Sequence, residues 1–479
     1  MNAQTLSAVA TDSTGQPSVT LTALLERQRA AQRLHVPDYA ERMNDLKRLR
    51  AAFKARLNDF AAAMAADFGQ RSWHESVAAD GMPVLKEIDF TRAHLRQWMR
   101  PEPCPVDINF LPARAELRFQ PVGVVGIISP WNYPVNLALV PLVSALAAGN
   151  RVLLKPSEHT PRTALLLREF LAALFPEDRV ACVLGDAQVA SAFAALPFDH
   201  LMFTGSTAVG RMVMAAAAPN LTPLTLELGG KSPAIVAPGF PLATAAERIG
   251  SGKLFNAGQT CIAPDYVLLP RAAQAEFIAA LGALVKRAYP EIERSPDATS
   301  VVNDRQYARL SGYLDDARQK GASVVSLGGH GSAGRRLFPL TVVTGVSDDM
   351  RLMQDEIFGP ILPLVDCESV DAAIDYINRR PKPLALYHFD HDRARTQQVL
   401  QHTDAGGVSI NDTLFHVAQD ALPFGGIGPS GMGHYHGHAG FLTFSKQKPV
   451  FYQARFSALA LFRPPYGRFA DRLVAWLTR

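Results

Sequence analysis

Between residues 122 and 184 the chain repeats one pattern, a short apolar run followed by a longer stretch with helical spacing. The short runs are 122–128, 151–154 and 179–184, and the helical stretches between them are 137–147 and 164–174. Parallel strands need a crossover connection of a dozen or more residues. The helices that supply it cover the sheet faces, so buried strands read as continuous apolar runs rather than as alternation. A second set follows at 266–269, 272–288 and 340–344. The pattern predicts an α/β fold with two parallel-sheet lobes. No internal repeat or low-complexity segment interrupts it.

The rest of the chain fits around these lobes. Residues 20–100 carry helical periodicity, with Leu46, Leu49, Phe53, Leu57 and Phe60 at steps of three and four. After the breaker PEPCP (101–105), the alternating run RAELRF (114–119) reads as a half-exposed strand in a projecting hairpin. Segment 119–150 has no charged side chain and is long enough to span a bilayer, but Pro121, Pro130, Pro134 and Pro141 break it, so it reads as a buried strand, turn and helix. The 479 residues carry a net charge of +4, too dilute an excess to make nucleic acid the partner. The locally basic stretch 27–56 is interleaved with Asp38, Glu41 and Asp45 and reads as a solvated helix face. Four scattered cysteines without a CxxC pair point to a reducing, cytoplasmic compartment. The first 19 residues lack a basic start and a continuous apolar core and read as a frayed leader rather than a secretory signal. Beyond residue 456 the tail reads as a short amphipathic helix docked on its own protein.

Chemistry concentrates at two strings. Cys261 lies in FNAGQTCIA (255–263), a flexible polar setting that presents a thiol rather than packing it, and Glu227 lies in TLELGGKSP (225–233). An ordinary thiol, with a pKa near 8.5, is only about 3% ionised at neutral pH, so a depressed pKa is the expected device for activating Cys261. A base beside a nucleophile is the functional reading; a buried structural thiol and a surface salt-bridge carboxylate are the plain ones. GSTAVG (205–210) has glycines only at its first and last positions and fails the GxGxxG fingerprint at the middle one. His434, His436 and His438 alternate among glycines without an adjacent acidic or thiol ligand, so they read as structural or pocket-rim residues, with no metal expected.

Further strings carry a resemblance. PWNYP (130–134), KPSE (155–158), FTGSTAVG (203–210), EIFGP (356–360) and LPFGGIGPSGMG (422–433) join the two strings above in one order along residues 120 to 450. Together they resemble the NAD(P)-dependent aldehyde dehydrogenase superfamily. The pair IND and FH (410–416) and GMGHYHG (431–437) are similar to its dimeric class 3 branch. DFGQRS (67–72), HLRQWMRPE (94–102) and KPVFYQ (448–453) are similar to bacterial coniferyl aldehyde dehydrogenases.

The resemblance implies an NAD(P)-binding domain from 1–103 and 122–227, a catalytic domain at 228–410, a small β bridging element for oligomerisation from 104–121 and 411–453, and a tail at 454–479. It implies Cys261 as nucleophile, Glu227 as the base for water, and Asn132 as an oxyanion donor, though an Asn in such a turn is otherwise ordinary. For the cofactor it implies Ser206 and the turn Gly205, Ser206, Thr207, Ala208, Val209 and Gly210 at the pyrophosphate, Lys155 and Glu158 at the adenosine ribose, and Glu356 with Phe358 at the nicotinamide ribose and ring. Trp131 belongs to the same cofactor-binding set. The Glu158 carboxylate favours NAD, with NADP possible. The implied substrate is an aromatic aldehyde such as coniferaldehyde, or a medium-chain one, oxidised by a homodimer with no membrane partner. By the same resemblance His416 and Gln419 border the substrate entrance. Transfer of the acyl group to coenzyme A, or a non-catalytic NAD-binding protein, are the alternatives.

Overall fold

In a computed structural model, which describes residues 20–455, 457 and 463–478, the apolar runs become strands Val124–Ile128, Arg151–Lys155 and Val180–Cys182, joined by helices Asn136–Ala148 and Pro161–Leu174. The leader at 1–19 and part of the tail lie outside the described residues. Six strands form the first sheet in the order Gly431–Met432, Leu224–Glu227, His200–Thr204, Val124–Ile128, Arg151–Lys155, Val180–Cys182. All are parallel except the short Gly431–Met432 edge. Every residue of Val124–Ile128, Arg151–Lys155 and His200–Thr204 is buried, which is why these strands show no alternation.

The second sheet has seven strands, in the order Ser323–Leu327, Leu340–Thr344, Ile361–Asp366, Tyr266–Leu269, Pro233–Val236, Ala385–Phe389, Gly407–Ile410. Only the Ser323–Leu327 edge is antiparallel. A third, antiparallel sheet joins Glu102–Cys104, Arg114–Pro121 and Ser445–Tyr452. Of the stretch 411–453 assigned to the bridging element, only Ser445–Tyr452 enters this sheet. The preceding residues supply the Gly431–Met432 edge of the first sheet and one wall of a cavity.

Helices lead the chain as the periodicity predicts, with Leu46, Leu49, Phe53 and Phe60 buried. Three details differ. Pro141 sits inside helix Asn136–Ala148 instead of ending it; the helix loses one backbone bond there and is held by burial of nearly every residue around it. Arg42, in the stretch read as a solvated face, is buried, with Nε and Nη1 donating to the carbonyls of Pro37 (2.9 Å) and Ala147 (3.0 Å). The tail does form helix Arg468–Leu477, but Phe469, Val474 and Trp476 stand exposed rather than docked. Among the described residues no helix is long and apolar enough to cross a membrane.

One tie links the leading helices to the first lobe. Asp80 Oδ1 accepts the backbone N–H groups of Val135 and Asn136 at 3.0 Å each, capping helix Asn136–Ala148, while Oδ2 takes Arg71 Nη2 at 2.9 Å. Both side chains are essentially inaccessible to water. Removing one partner of a buried ion pair leaves an uncompensated charge and costs about 3–5 kcal/mol. Asp80→Ala is therefore expected to lower the thermal unfolding midpoint sharply in a calorimetric scan. An unchanged midpoint would remove the pair from the fold's supports.

Candidate active site

The turn carrying Cys261 follows helix Leu242–Leu254 and runs through three residues in the left-handed region, Asn256 (φ 52°), Ala257 (φ 52°) and Gly258 (φ 70°). Such a conformation is costly for residues bearing a Cβ and persists only where its surroundings enforce it. Glycine is required at 258, since a Cβ there would lie 2.5 Å from the Gly359 carbonyl oxygen. Gln259 supplies much of the enforcement. Its Nε2 donates to the carbonyls of Asn256 (3.0 Å) and Ser300 (3.1 Å), and its Oε1 accepts from the Val302 N–H (2.9 Å).

Asn132 is tied into the same knot. Its Nδ2 donates to the Gln259 carbonyl at 3.1 Å, and Asn256 Nδ2 donates to the carbonyls of both Asn132 and Gln259 at 3.1 Å. The Tyr133 hydroxyl bonds Thr260 Oγ1, and the Tyr387 hydroxyl donates to the Ile262 carbonyl. Each residue beside the cysteine is thus fixed from another part of the chain, while Cys261 itself stays half-buried. The Asn132 amide carries two N–H bonds, so donation to Gln259 leaves one for another acceptor.

Electrostatics at the thiol run against the expected activation. Burial pushes the Cys261 thiol up to about 12, and the charges of Glu356 and Glu227 add to the effect, against a smaller opposing contribution from the N–H groups of Cys261 and Ile262. The thiol is therefore protonated in the protein by itself. Glu227, at the end of strand Leu224–Glu227, is buried with neither oxygen hydrogen-bonded, and desolvation raises its pKa well above the ordinary carboxylate value. Glu356 is raised to about 8, first by burial and then by Asp265. The glycines after Glu227 permit this crowding, because a Cβ on Gly229 would fall 2.0 Å from Glu356 Oε2.

The remaining expected residues gather at the carboxyl ends of the first sheet. Strand Val124–Ile128 has Arg151–Lys155 on one side and His200–Thr204 on the other, so the connections reverse direction there; a crevice outside the strand ends at such a point is the general ligand site of open α/β sheets. Trp131 follows that strand and meets Phe358 edge-on, ring centroids 5.3 Å apart. Lys155, fully buried, donates to the Pro156 carbonyl (3.0 Å) and pairs with the exposed Glu158 at 3.4 Å. Ser206 caps helix Thr207–Ala217, with Oγ accepting the Val209 N–H at 3.4 Å, and Ser206, Ala208 and Val209 are exposed. Thr207 Oγ1 donates to the Pro429 carbonyl, and the Gly205 N–H donates to the Glu227 carbonyl at 2.9 Å. Gly210 allows the helix to close on Leu228, which a Cβ would meet at 2.6 Å.

These residues suit a dinucleotide. An exposed helix N-terminus favours a pyrophosphate, and at the end of strand Val124–Ile128 the buried Ser129 hydroxyl has no protein partner. Glu227 and Glu356 lie near enough to Cys261 for their charges to act on its thiol.

On the other side of Cys261 a cavity of about 500 Å³ opens between the leading helices and the segment 412–436. Its walls are mainly apolar, with Leu137, Val140, Phe255, Phe415, Phe424 and Tyr435 among them. His436 lines it and stacks on Phe424 (5.5 Å), whereas His438 stacks on Trp98 (5.4 Å). His416 and Gln419, expected at the entrance, are not part of this wall. His416 bonds Ser409 through Nδ1 and packs against Tyr387 and Phe424, and Gln419 donates to the Phe415 carbonyl.

Two buried groups were not legible as functional in the sequence. Lys253, its Nζ without a hydrogen-bond partner, lies 4.0 Å from Asp265, and burial lowers it to about 8. Glu87 lines the cavity from helix Met82–Trp98. Only their position five residues before Gly258, or on the inner face of an amphipathic helix, could have marked them.

The chain is similar to known proteins over nearly its whole length. Residues 4–450 match the model of the aldehyde dehydrogenase family. A probable coniferyl aldehyde dehydrogenase of Pseudomonas aeruginosa is 52% identical, with 95% of each chain covered. A substrate-bound Staphylococcus aureus AldH structure superimposes with a TM-score of 0.91 at 36% identity, covering 96% of this chain and 99% of that one. An NAD⁺ complex of an aldehyde dehydrogenase from Bacillus cereus gives 0.82 at 28%, covering 91% and 89%.

The thiol's surroundings make a direct prediction. At pH 9 Glu356 is mostly ionised and opposes the thiolate, so Glu356→Gln lowers the Cys261 pKa. Alkylation of Cys261 by iodoacetamide, followed by peptide mass spectrometry, is then expected to accelerate, about tenfold per unit of pKa lost. A slower or unchanged rate would contradict the electrostatic assignment.

Proposed function

Because the chain belongs to the aldehyde dehydrogenase family, and is an NAD(P)-using, aldehyde-oxidising enzyme, we propose that it converts an aromatic aldehyde of the coniferaldehyde type to its carboxylate at Cys261, with water as the acyl acceptor. The observation that carries this reading is the convergence of Cys261, Asn132 and Glu227 on one cleft whose open side is an aromatic-walled cavity.

Cys261 attacks the carbonyl carbon to form a thiohemiacetal. Its high pKa couples ionisation to attack: as the S–C bond forms, the thiol proton is lost to water and the charge passes to the carbonyl oxygen. There the second N–H of Asn132 Nδ2 and the backbone N–H of Cys261 stabilise it, each such donor being worth roughly 3–4 kcal/mol in the transition state. Bound NAD(P) supplies the hydride acceptor. The residues that hold it are Trp131, Lys155, Glu158, the turn from Gly205 to Gly210, Glu356 and Phe358. Glu158 beside Lys155 favours a free ribose hydroxyl over a phosphate, and hence NAD. Collapse of the thiohemiacetal leaves a thioester on Cys261. Glu227, in its ionised form, takes a proton from water, which attacks that thioester; burial without hydrogen bonds makes that carboxylate a strong base.

The presence of Glu227 favours water over coenzyme A as acceptor. We divide the chain into an NAD(P)-binding domain (1–103 and 122–227) and a catalytic domain (228–410), and read it as a cytoplasmic homodimer associating through the sheet that ends in Ser445–Tyr452. The exposed Phe451 on that edge strand and the four free cysteines support these assignments.

NADH production from coniferaldehyde against straight-chain aldehydes, with and without coenzyme A, tests the reading. A cinnamyl-type preference independent of coenzyme A is expected, and dependence on coenzyme A would overturn it. Cys261→Ala is expected to abolish turnover while retaining NAD binding by fluorescence titration. Glu227→Gln is expected to give a burst of NADH in stopped flow and then stall; an unchanged steady-state rate would take Glu227 out of the mechanism.

A further inference from the structure

The cavity beyond Cys261 contains one feature that aldehyde oxidation leaves unused. Among its apolar walls stands the carboxyl of Glu87, a residue only 2% exposed. On the protein side Oε1 accepts the Gly437 N–H (3.1 Å), Thr91 Oγ1 (3.4 Å) and Ser144 Oγ (3.5 Å), and Oε2 meets the same Gly437 N–H at 3.3 Å. Oε2, with one long shared contact, keeps acceptor capacity.

Placing a carboxyl in an apolar, desolvated wall is expensive. Burial and the nearby Asp420 raise Glu87 to about 7. Fastening Gly437 does not account for that cost, because a glutamine would accept the same N–H through a neutral amide oxygen. Gly437 itself is held by sterics, its φ of 48° and a Cβ position 2.2 Å from the Asp420 carbonyl allowing only glycine.

Glu87 and Cys261 line one cavity, and the buried Tyr435 stands within reach of the charges of both. A rigid conjugated aldehyde with its carbonyl at Cys261 would extend away from the sulfur along the aromatic wall. We propose that Glu87 is a specificity-determining residue that accepts a hydrogen bond from a ring hydroxyl of the substrate, so that the preferred class is 4-hydroxyphenyl aldehydes of the cinnamyl type. This rests on the aldehyde-oxidising reading and narrows its substrate class. A site built to pair with a substrate hydroxyl discriminates strongly against the analogue lacking it, because its own polar group is then left unpaired.

The test compares kcat/KM for 4-hydroxycinnamaldehyde and cinnamaldehyde in the wild-type, Glu87→Gln and Glu87→Leu enzymes. The wild type is expected to favour the hydroxylated aldehyde. Glu87→Gln, which keeps an acceptor for Gly437 but loses the charge, is expected to lower the ratio of the two by about tenfold, with cinnamaldehyde oxidation little changed. Glu87→Leu is expected to lower the ratio further. A purely structural role would depress both substrates equally and leave the ratio constant, and that result in the Gln variant overturns the proposal even if the Leu variant fails to fold. A wild-type enzyme that oxidises neither aldehyde would instead overturn the aldehyde reading itself, and this proposal with it.

Discussion

The hydrogen-bonded knot of Asn132, Asn256 and Gln259 is the constraint on which the site depends. It forces three successive residues into left-handed backbone, an arrangement the chain would not adopt in isolation, and thereby presents Cys261 at the bottom of a cleft. Asn132 belongs to the turn after the central strand of the first sheet, whereas Gln259 precedes strand Tyr266–Leu269 of the second. Relative motion of the two sheets would therefore pull the Asn132 amide away from the turn that carries the Cys261 thiol. Ser300 and Val302 anchor Gln259 from a third place in the chain, and Asp80 pins the helix that follows Asn132.

Burial then sets the chemistry. Cys261, Glu227 and Glu356 are all held toward their neutral forms by the same lack of water, and two of them suppress ionisation of the third. A resting enzyme with a protonated thiol is protected from adventitious alkylation and oxidation, since the thiolate is the reactive species. The cost is that ionisation must occur together with carbonyl attack. In the proposed mechanism oxyanion stabilisation by preorganised donors therefore takes the place of a depressed thiol pKa, which is the device the sequence alone suggested.

Much of this was legible in the chain. The βαβ alternation located the first sheet, and the helical spacing of Leu46, Leu49, Phe53 and Phe60 located the leading helices, because both follow from local periodicity and burial. Cys261 stood out through its glycine- and polar-rich flanks, and Glu227 through the glycines that now admit Glu356. The direction of the thiol shift was not legible, since it depends on which charges the fold brings near, and residues 227 and 356 are far apart in sequence. The partition of 411–453 between three structures was hidden for the same reason: short segments without periodicity acquire their place only by packing. Glu87 lay on an ordinary amphipathic helix, and nothing local separated it from a surface carboxylate.

The central claim is that one sulfur becomes acylated in a cleft shared with the dinucleotide. Peptide mass spectrometry of the enzyme, acid-quenched during turnover with coniferaldehyde and NAD, tests it most directly. The account predicts that the peptide containing Cys261 gains the mass of the aldehyde less two hydrogens, while the peptides of Cys104, Cys182 and Cys367 are unmodified. An adduct on any of those three, or steady turnover in an enzyme whose Cys261 has been replaced, would contradict it.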